Sequence, residues 1–191
     1  MRVVWLCEEI GLEYRLETVE MFSDAMKRPE YLAIHPLGKV PAIEDDGFVL
    51  WETSAILQYL DAKYGGGALI PPRDTEAGAL AIQWMEYGEN PLTMIMCEIA
   101  AHSGPMPDEW RIPALVDRGR EIAPSLVGVV ERALGEREWI VGDAFSAADI
   151  MVTYGLSIAG YLEYVNDDTP RVRAYCERAM ARPAFQKAAS A

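Results

Sequence analysis

His35-Pro36-Leu37-Gly38-Lys39-Val40-Pro41-Ala42-Ile43 sets a helix end, a glycine turn and a proline directly before a strand. Pro36 forces its predecessor out of helical geometry, so the short helix over Tyr31-Leu32-Ala33-Ile34 stops by His35. Pro41 cannot donate to a sheet ladder, and a cis peptide bond there would turn the Val40 backbone toward solvent. An unpaired N–H and C=O at Val40 suit a peptide-like ligand bound as an added strand. Two antiparallel strands are expected next, Ala42 to Asp45 and Phe48 to Trp51, around the strong hairpin signal Asp46-Gly47. The chain then reads Trp51-Glu52-Thr53-Ser54-Ala55-Ile56, which places a carboxylate, two hydroxyls and free backbone amides at a helix N-terminus. A helix start attracts a carboxylate and Glu52 can hold an amine, so together they complement a zwitterionic amino acid head.

Upstream, Val3, Leu6, Cys7 and Ile10 fall at helical spacings along one buried stripe, and Gly11 sits where a left-handed cap belongs. No strand precedes this helix in the chain. Glu13 to Glu20 alternates, with Tyr14, Leu16 and Thr18 on one face, which predicts a sheet strand. Downstream, the helix beginning at Thr53 carries Ala55, Ile56, Tyr59 and Leu60 on one face and ends at Gly65-Gly66-Gly67. Pro71-Pro72 marks a boundary between a unit of residues 1–70 and one of residues 73–191.

The second unit reads as helix throughout: Thr75 to about Ala101, Pro113 to Leu134, Ser146 to Tyr161, Pro170 to Ala181, and a short tail after Pro183. Pro91 and Pro124 should bend their helices rather than end them, because the apolar period resumes beyond each. In Phe145-Ser146-Ala147-Ala148-Asp149-Ile150, Ser146 and Asp149 form a capping box and Phe145 with Ile150 a hydrophobic staple, fixing where a core helix begins.

With 191 residues, 51% of them hydrophobic, the chain can fill a substantial core. Its 17 basic residues against 30 acidic ones leave a net charge of −13, which repels phosphate backbones and anionic lipid, so nucleic-acid and membrane partners are excluded as expectations. Neither a bilayer-spanning apolar run nor a cleavable signal is present, which points to the cytoplasm. Cys7, Cys97 and Cys176 lie far apart without a Cys-x-x-Cys pair, and only His35 and His102 add imidazole, so neither a disulfide framework nor a metal site is expected. Cys7 lies on the apolar stripe, where a buried inert thiol is expected, and His102 beside Ser103-Gly104-Pro105 reads as a loop residue.

Five segments in register carry a resemblance. They are Glu8-Glu9-Ile10-Gly11-Leu12, Pro36-Leu37-Gly38-Lys39-Val40-Pro41, Glu52-Thr53-Ser54-Ala55-Ile56-Leu57-Gln58-Tyr59-Leu60, Phe145-Ser146-Ala147-Ala148-Asp149-Ile150 and Arg182-Pro183-Ala184-Phe185. Across nearly its whole length the chain resembles the cytosolic glutathione S-transferases of bacterial type. The resemblance implies a thioredoxin-like N-terminal domain followed by a helical-bundle C-terminal domain, usually as a homodimer, with glutathione as co-substrate at the first domain's edge. By position, the Val40 backbone would pair with the cysteinyl part, Pro41 would be cis, Glu52 and Thr53 would hold the γ-glutamyl group, and Lys39 would approach the glycine carboxylate. Thr53 stands where serine is commoner in the family, and His35 where asparagine is commoner.

The family pattern also has a first strand and a serine, tyrosine or cysteine activating the thiol at the start of the following helix. Met1 falls inside that helix, so this chain lacks the usual first strand and its thiol-activating residue is expected before Met1. From the stripe Trp84, Tyr87, Met94 and Met96, Tyr87 and Met94 are expected to face an apolar electrophile. Two function classes follow: a detoxifying transferase that adds the glutathione thiolate to such compounds, and a non-catalytic binding or regulatory protein of the same fold.

Overall fold

The computed structural model describes residues 1–20 and 23–191. Helix α1 (Arg2–Ile10) opens the chain and ends on Gly11, whose φ of 67° needs the left-handed conformation glycine adopts freely. Its buried surface is wider than the predicted stripe, because Val4 and Trp5 join Leu6 and Cys7 in the core. The Trp5 ring meets Phe185 edge-on at 4.9 Å and lies 5.7 Å from Phe145, so α1 is a central element enclosed by helices from the other end of the chain.

The expected strand from Glu13 to Glu20 does not form. A period-two pattern becomes a strand only if a neighbouring ladder pairs with it, and among the described residues only the two hairpin strands are paired. Tyr14 and Leu16 accordingly stay 40% and 45% exposed. A 3₁₀ turn (Asp24–Lys27) and helix α2 (Pro29–Ile34) follow. Strands β1 (Ala42–Asp45) and β2 (Phe48–Trp51) then pair antiparallel with Ala42 opposite Trp51 and Asp45 opposite Phe48, turning at Asp46 and Gly47 as read from the sequence. Helix α3 (Thr53–Tyr64) packs on α1 through Ile56, Leu57 and Leu60. The N-terminal part is thus thioredoxin-like with a small sheet, and the rest is helical.

Helix α4 (Glu76–Tyr87) passes through a wide segment at Gly88–Thr93 into α5 (Met94–Ser103). The interruption lies at Pro91, where Asn90 leaves helical geometry, whereas α6 (Pro113–Leu134) runs unbroken through Pro124. Helix α7 (Ala147–Tyr161) is the axis of the bundle, with Ile150, Met151, Val152 and Leu156 at most 1% exposed; α8 (Pro170–Met180) packs against it, and α9 (Pro183–Ser190) packs on α1.

The start of α7 shows the expected cap with an added partner. The Asp149 carboxylate accepts from the Ser146 amide and hydroxyl, both at 2.8 Å, and also from the Ile140 amide and the Tyr175 hydroxyl, both at 2.9 Å. Burial pushes this carboxyl above the usual carboxylate range while the donors pull it back. Across the molecule, Glu9 on α1 accepts a two-pronged ion pair from Arg182 at 2.6 and 2.7 Å and the Trp5 indole N–H at 2.9 Å. Among the described residues no helix is long and apolar enough to cross a membrane.

Candidate functional site

The register of the hairpin builds the site. Because Ala42 faces Trp51, the residues just before β1 and just after β2 emerge side by side at one end of the ribbon. Val40 and Pro41 form one wall and Glu52 and Thr53 the other. The Val40–Pro41 bond is cis, as the family resemblance implied, and among the described residues neither the Val40 amide nor its carbonyl enters a backbone hydrogen bond. Val40 is 46% exposed, so this short stretch of edge is open to a ligand.

The loop leading to it is held from both sides. The buried His35 ring lies 5.3 Å from Trp51, and its Nδ1 accepts the Leu37 amide at 3.2 Å. The Tyr31 hydroxyl donates to the Lys39 carbonyl at 2.6 Å. Gly38 packs so tightly, at φ 58°, that a Cβ there would lie 2.3 Å from the Met26 carbonyl oxygen.

On the other wall, Glu52 adopts φ 75° and ψ 116°, a region costly for a residue with a Cβ. Its carbonyl accepts from Ile56 at 2.9 Å, closing the first turn of α3 and leaving the amides of Thr53, Ser54 and Ala55 outside the helix ladder. Among the described residues no side chain caps them. The Glu52 carboxylate is exposed, and Thr53, only 4% exposed, sits at the root of the turn. The two hydroxyls have separate fates: Ser54 donates to Glu86 on α4 at 2.6 Å, whereas the Thr53 hydroxyl makes no such bond among the described residues. The arrangement offers three amides and a hydroxyl to a carboxylate, a carboxylate to an amine, and a strand edge to a peptide backbone.

Lys39, on the same loop, is exposed and forms no ion pair among the described residues. It lines a cavity of about 420 Å³ beside Val40, together with Lys27, Leu32 and Trp110. Tyr87 and Met94 do not line it. The Tyr87 hydroxyl donates to the Leu126 carbonyl on α6 at 2.8 Å, and burial pushes the phenol up to about 12, so this side chain ties two helices together. Met94 is 42% exposed.

Cys7 is buried and its thiol is pushed up to about 11, chiefly by desolvation, which leaves it protonated and inert at neutral pH as the apolar stripe implied. All three cysteines are free. His102 belongs to the last turn of α5 rather than to a loop, and its Nδ1 accepts the Ile112 amide at 3.2 Å.

Several structural contacts around this region carried no sequence signal. Asp61, 1% exposed, accepts the Leu69 and Ile70 amides at 3.1 and 3.0 Å and pins the end of the first unit. At the start of α1, the Arg2 guanidinium pairs with Glu89 and stands 4.5 Å over the Tyr154 ring. Trp110 reaches the site from the connection between α5 and α6.

A thioredoxin-like hairpin with an open edge before a cis-proline, beside an uncapped helix start and followed by a helical bundle, defines the glutathione-transferase class of fold. The comparisons agree. Residues 1–63 match the model of the glutathione S-transferase N-terminal domain and residues 94–183 that of the C-terminal domain. Glutathione S-transferase 1 of Triticum aestivum is 30% identical over 97% of this chain and 86% of its own length. Among solved structures, a glutathione transferase of Burkholderia graminis with two glutathione molecules bound per subunit is 30% identical, with a TM-score of 0.85 over 97% of this chain and 81% of that one. A family member from Pseudomonas fluorescens, also with two glutathione bound, is 28% identical, with a TM-score of 0.86 over 97% of this chain and 86% of that one. This chain belongs to the glutathione S-transferase family.

Proposed function

We propose that the protein binds glutathione across the open end of its hairpin and transfers the thiolate to a small apolar electrophile. The Val40 amide and carbonyl pair with the cysteinyl residue as an added strand. The Thr53 hydroxyl and the first amides of α3 hold the γ-glutamyl carboxylate, Glu52 holds its amine, and Lys39 faces the glycine carboxylate. The observation that carries this reading is the register of the hairpin, which brings an unpaired backbone edge and an uncapped helix start to one place.

The relatives with glutathione bound support glutathione as co-substrate. The same reading divides the chain into a glutathione-binding unit of residues 1–70 and a substrate-binding unit of residues 73–191, and takes the working form as a cytoplasmic homodimer. The second substrate sits in the cavity beside Val40, with Tyr87 and Met94 outside its wall.

The test is thioether formation with chlorodinitrobenzene, comparing glutathione with cysteinylglycine, which lacks the γ-glutamyl group. Loss of the contacts to Glu52 and α3 should lower kcat/KM for cysteinylglycine by about a hundredfold, equivalent to about 2.7 kcal/mol. Equal rates with the two thiols would remove the assignment.

A further inference from the structure

The cavity beside Val40 is chemically lopsided. Met26, Leu32 and the ring of Trp110 give it a mainly apolar wall, yet two lysines, Lys27 and Lys39, reach it. The close approach of Gly38 to the Met26 carbonyl explains their meeting, since it lays the chain at 26–27 against the chain at 38–39. Among the described residues, ion pairs engage Arg2, Arg15, Lys63, Arg111, Arg171, Arg173, Arg182 and Lys187, but neither of these lysines. Acidic groups outnumber basic ones 30 to 17 along the chain, so two unpaired lysines on one apolar cavity run against the general charge. The glycine carboxylate of glutathione would neutralise Lys39, leaving Lys27 uncommitted in the part of the cavity open to the second substrate.

We infer that the second substrate is an anionic amphiphile: a flat apolar body against Trp110, between Met26 and Leu32, carrying a carboxylate that reaches Lys27. This rests on the glutathione reading of the adjacent edge and narrows its electrophile to one whose apolar body also bears a carboxylate. Trp110 is 51% exposed in the free protein, so a ring placed on it gains buried area on both partners. Lys27 is also exposed, so the charge contributes selectivity more than affinity and weakens as salt is added.

The experiment is calorimetry at low ionic strength with two conjugates of nearly equal size, S-(para-carboxybenzyl)glutathione and its carbamoyl counterpart, alongside glutathione itself. The carboxylate should bind about fivefold more tightly than the amide, and the preference should shrink as salt is added. Lys27→Met should abolish the preference and leave glutathione affinity unchanged, whereas Trp110→Ala should weaken both conjugates equally and spare glutathione. Equal affinity for the two conjugates in the parent protein, with glutathione bound, overturns the inference alone. So does a Lys27→Met that weakens glutathione as much as the conjugates, because Lys27 would then serve the glycine carboxylate. Failure of glutathione and both conjugates to bind overturns the underlying glutathione reading instead.

Discussion

Glu9→Ala should be among the most damaging substitutions remote from the binding site. Glu9 joins the two ends of the chain, accepting Trp5 Nε1 at 2.9 Å and both prongs of Arg182 at 2.6 and 2.7 Å. Trp5 is wholly buried, so removal of the carboxylate leaves an indole N–H with neither protein nor solvent partner, at a cost of about 1–3 kcal/mol. Arg182 keeps 32% of its side chain exposed and can be hydrated, so the lost ion pair adds only about 1 kcal/mol. The sum, about 3 kcal/mol, corresponds to a fall of about 6–12 °C in Tm for a chain of this length. Glu9→Gln keeps an acceptor for Trp5 and loses only the charge, so it should cost about 1 kcal/mol. Urea unfolding followed by tryptophan fluorescence, with calorimetric Tm values beside it, measures both. A Glu9→Ala protein within about 0.5 kcal/mol of the parent, or equal losses in Ala and Gln, would refute the claim that the buried indole carries most of the effect.

Three further outcomes follow from the same geometry. Asp45 accepts from Lys63 at 2.7 Å and from the Tyr59 and Tyr64 hydroxyls, both at 2.7 Å, which holds its carboxyl at about 2 against an ordinary 3.8. A carboxyl depressed by folding stabilises the fold above its unfolded value and loses that contribution as pH falls toward the folded one, so the stability gap between parent and Asp45→Asn should be constant near neutrality and close between those two values in acid unfolding titrations. His35→Phe keeps a ring against Trp51 but removes the acceptor for the Leu37 amide; glutathione affinity should fall about three- to tenfold by calorimetry, and His35→Asn, which retains an acceptor, should lose less. Gly38→Ala forces a Cβ to 2.3 Å from the Met26 carbonyl, so the loop must shift, and glutathione binding should drop about tenfold with a smaller change in Tm.

Much of the fold was legible because local rules and tertiary structure agreed. Asp46-Gly47 fixed the hairpin to the residue, Gly11 and Pro36 ended their helices, and Ser146 with Asp149 marked the start of α7. Glu13 to Glu20 failed for a non-local reason: alternation describes a half-buried strand only when a neighbour supplies the ladder. The candidate site was half legible. Glu52, Thr53 and Val40 advertise themselves through a helix start and a proline at a strand entrance. Lys27 and Trp110 come to the cavity, and Asp61 to the Leu69 and Ile70 amides, only through folding; away from the site, Glu131 likewise receives the Val172 amide at 2.8 Å. Tyr87 shows the converse, since helical spacing predicted an apolar stripe but not which neighbour its hydroxyl would reach.

Whether the end of the hairpin is a glutathione site is decided by calorimetric titration of glutathione into the parent protein and into Glu52→Ala. Glu52 is exposed and makes no cap for α3, so its removal should spare the fold. The parent should form a one-to-one complex per chain, and Glu52→Ala should bind at least about tenfold more weakly, a loss of about 1.4 kcal/mol. Equal affinities in the two proteins, with Tm unchanged, would contradict the glutathione assignment.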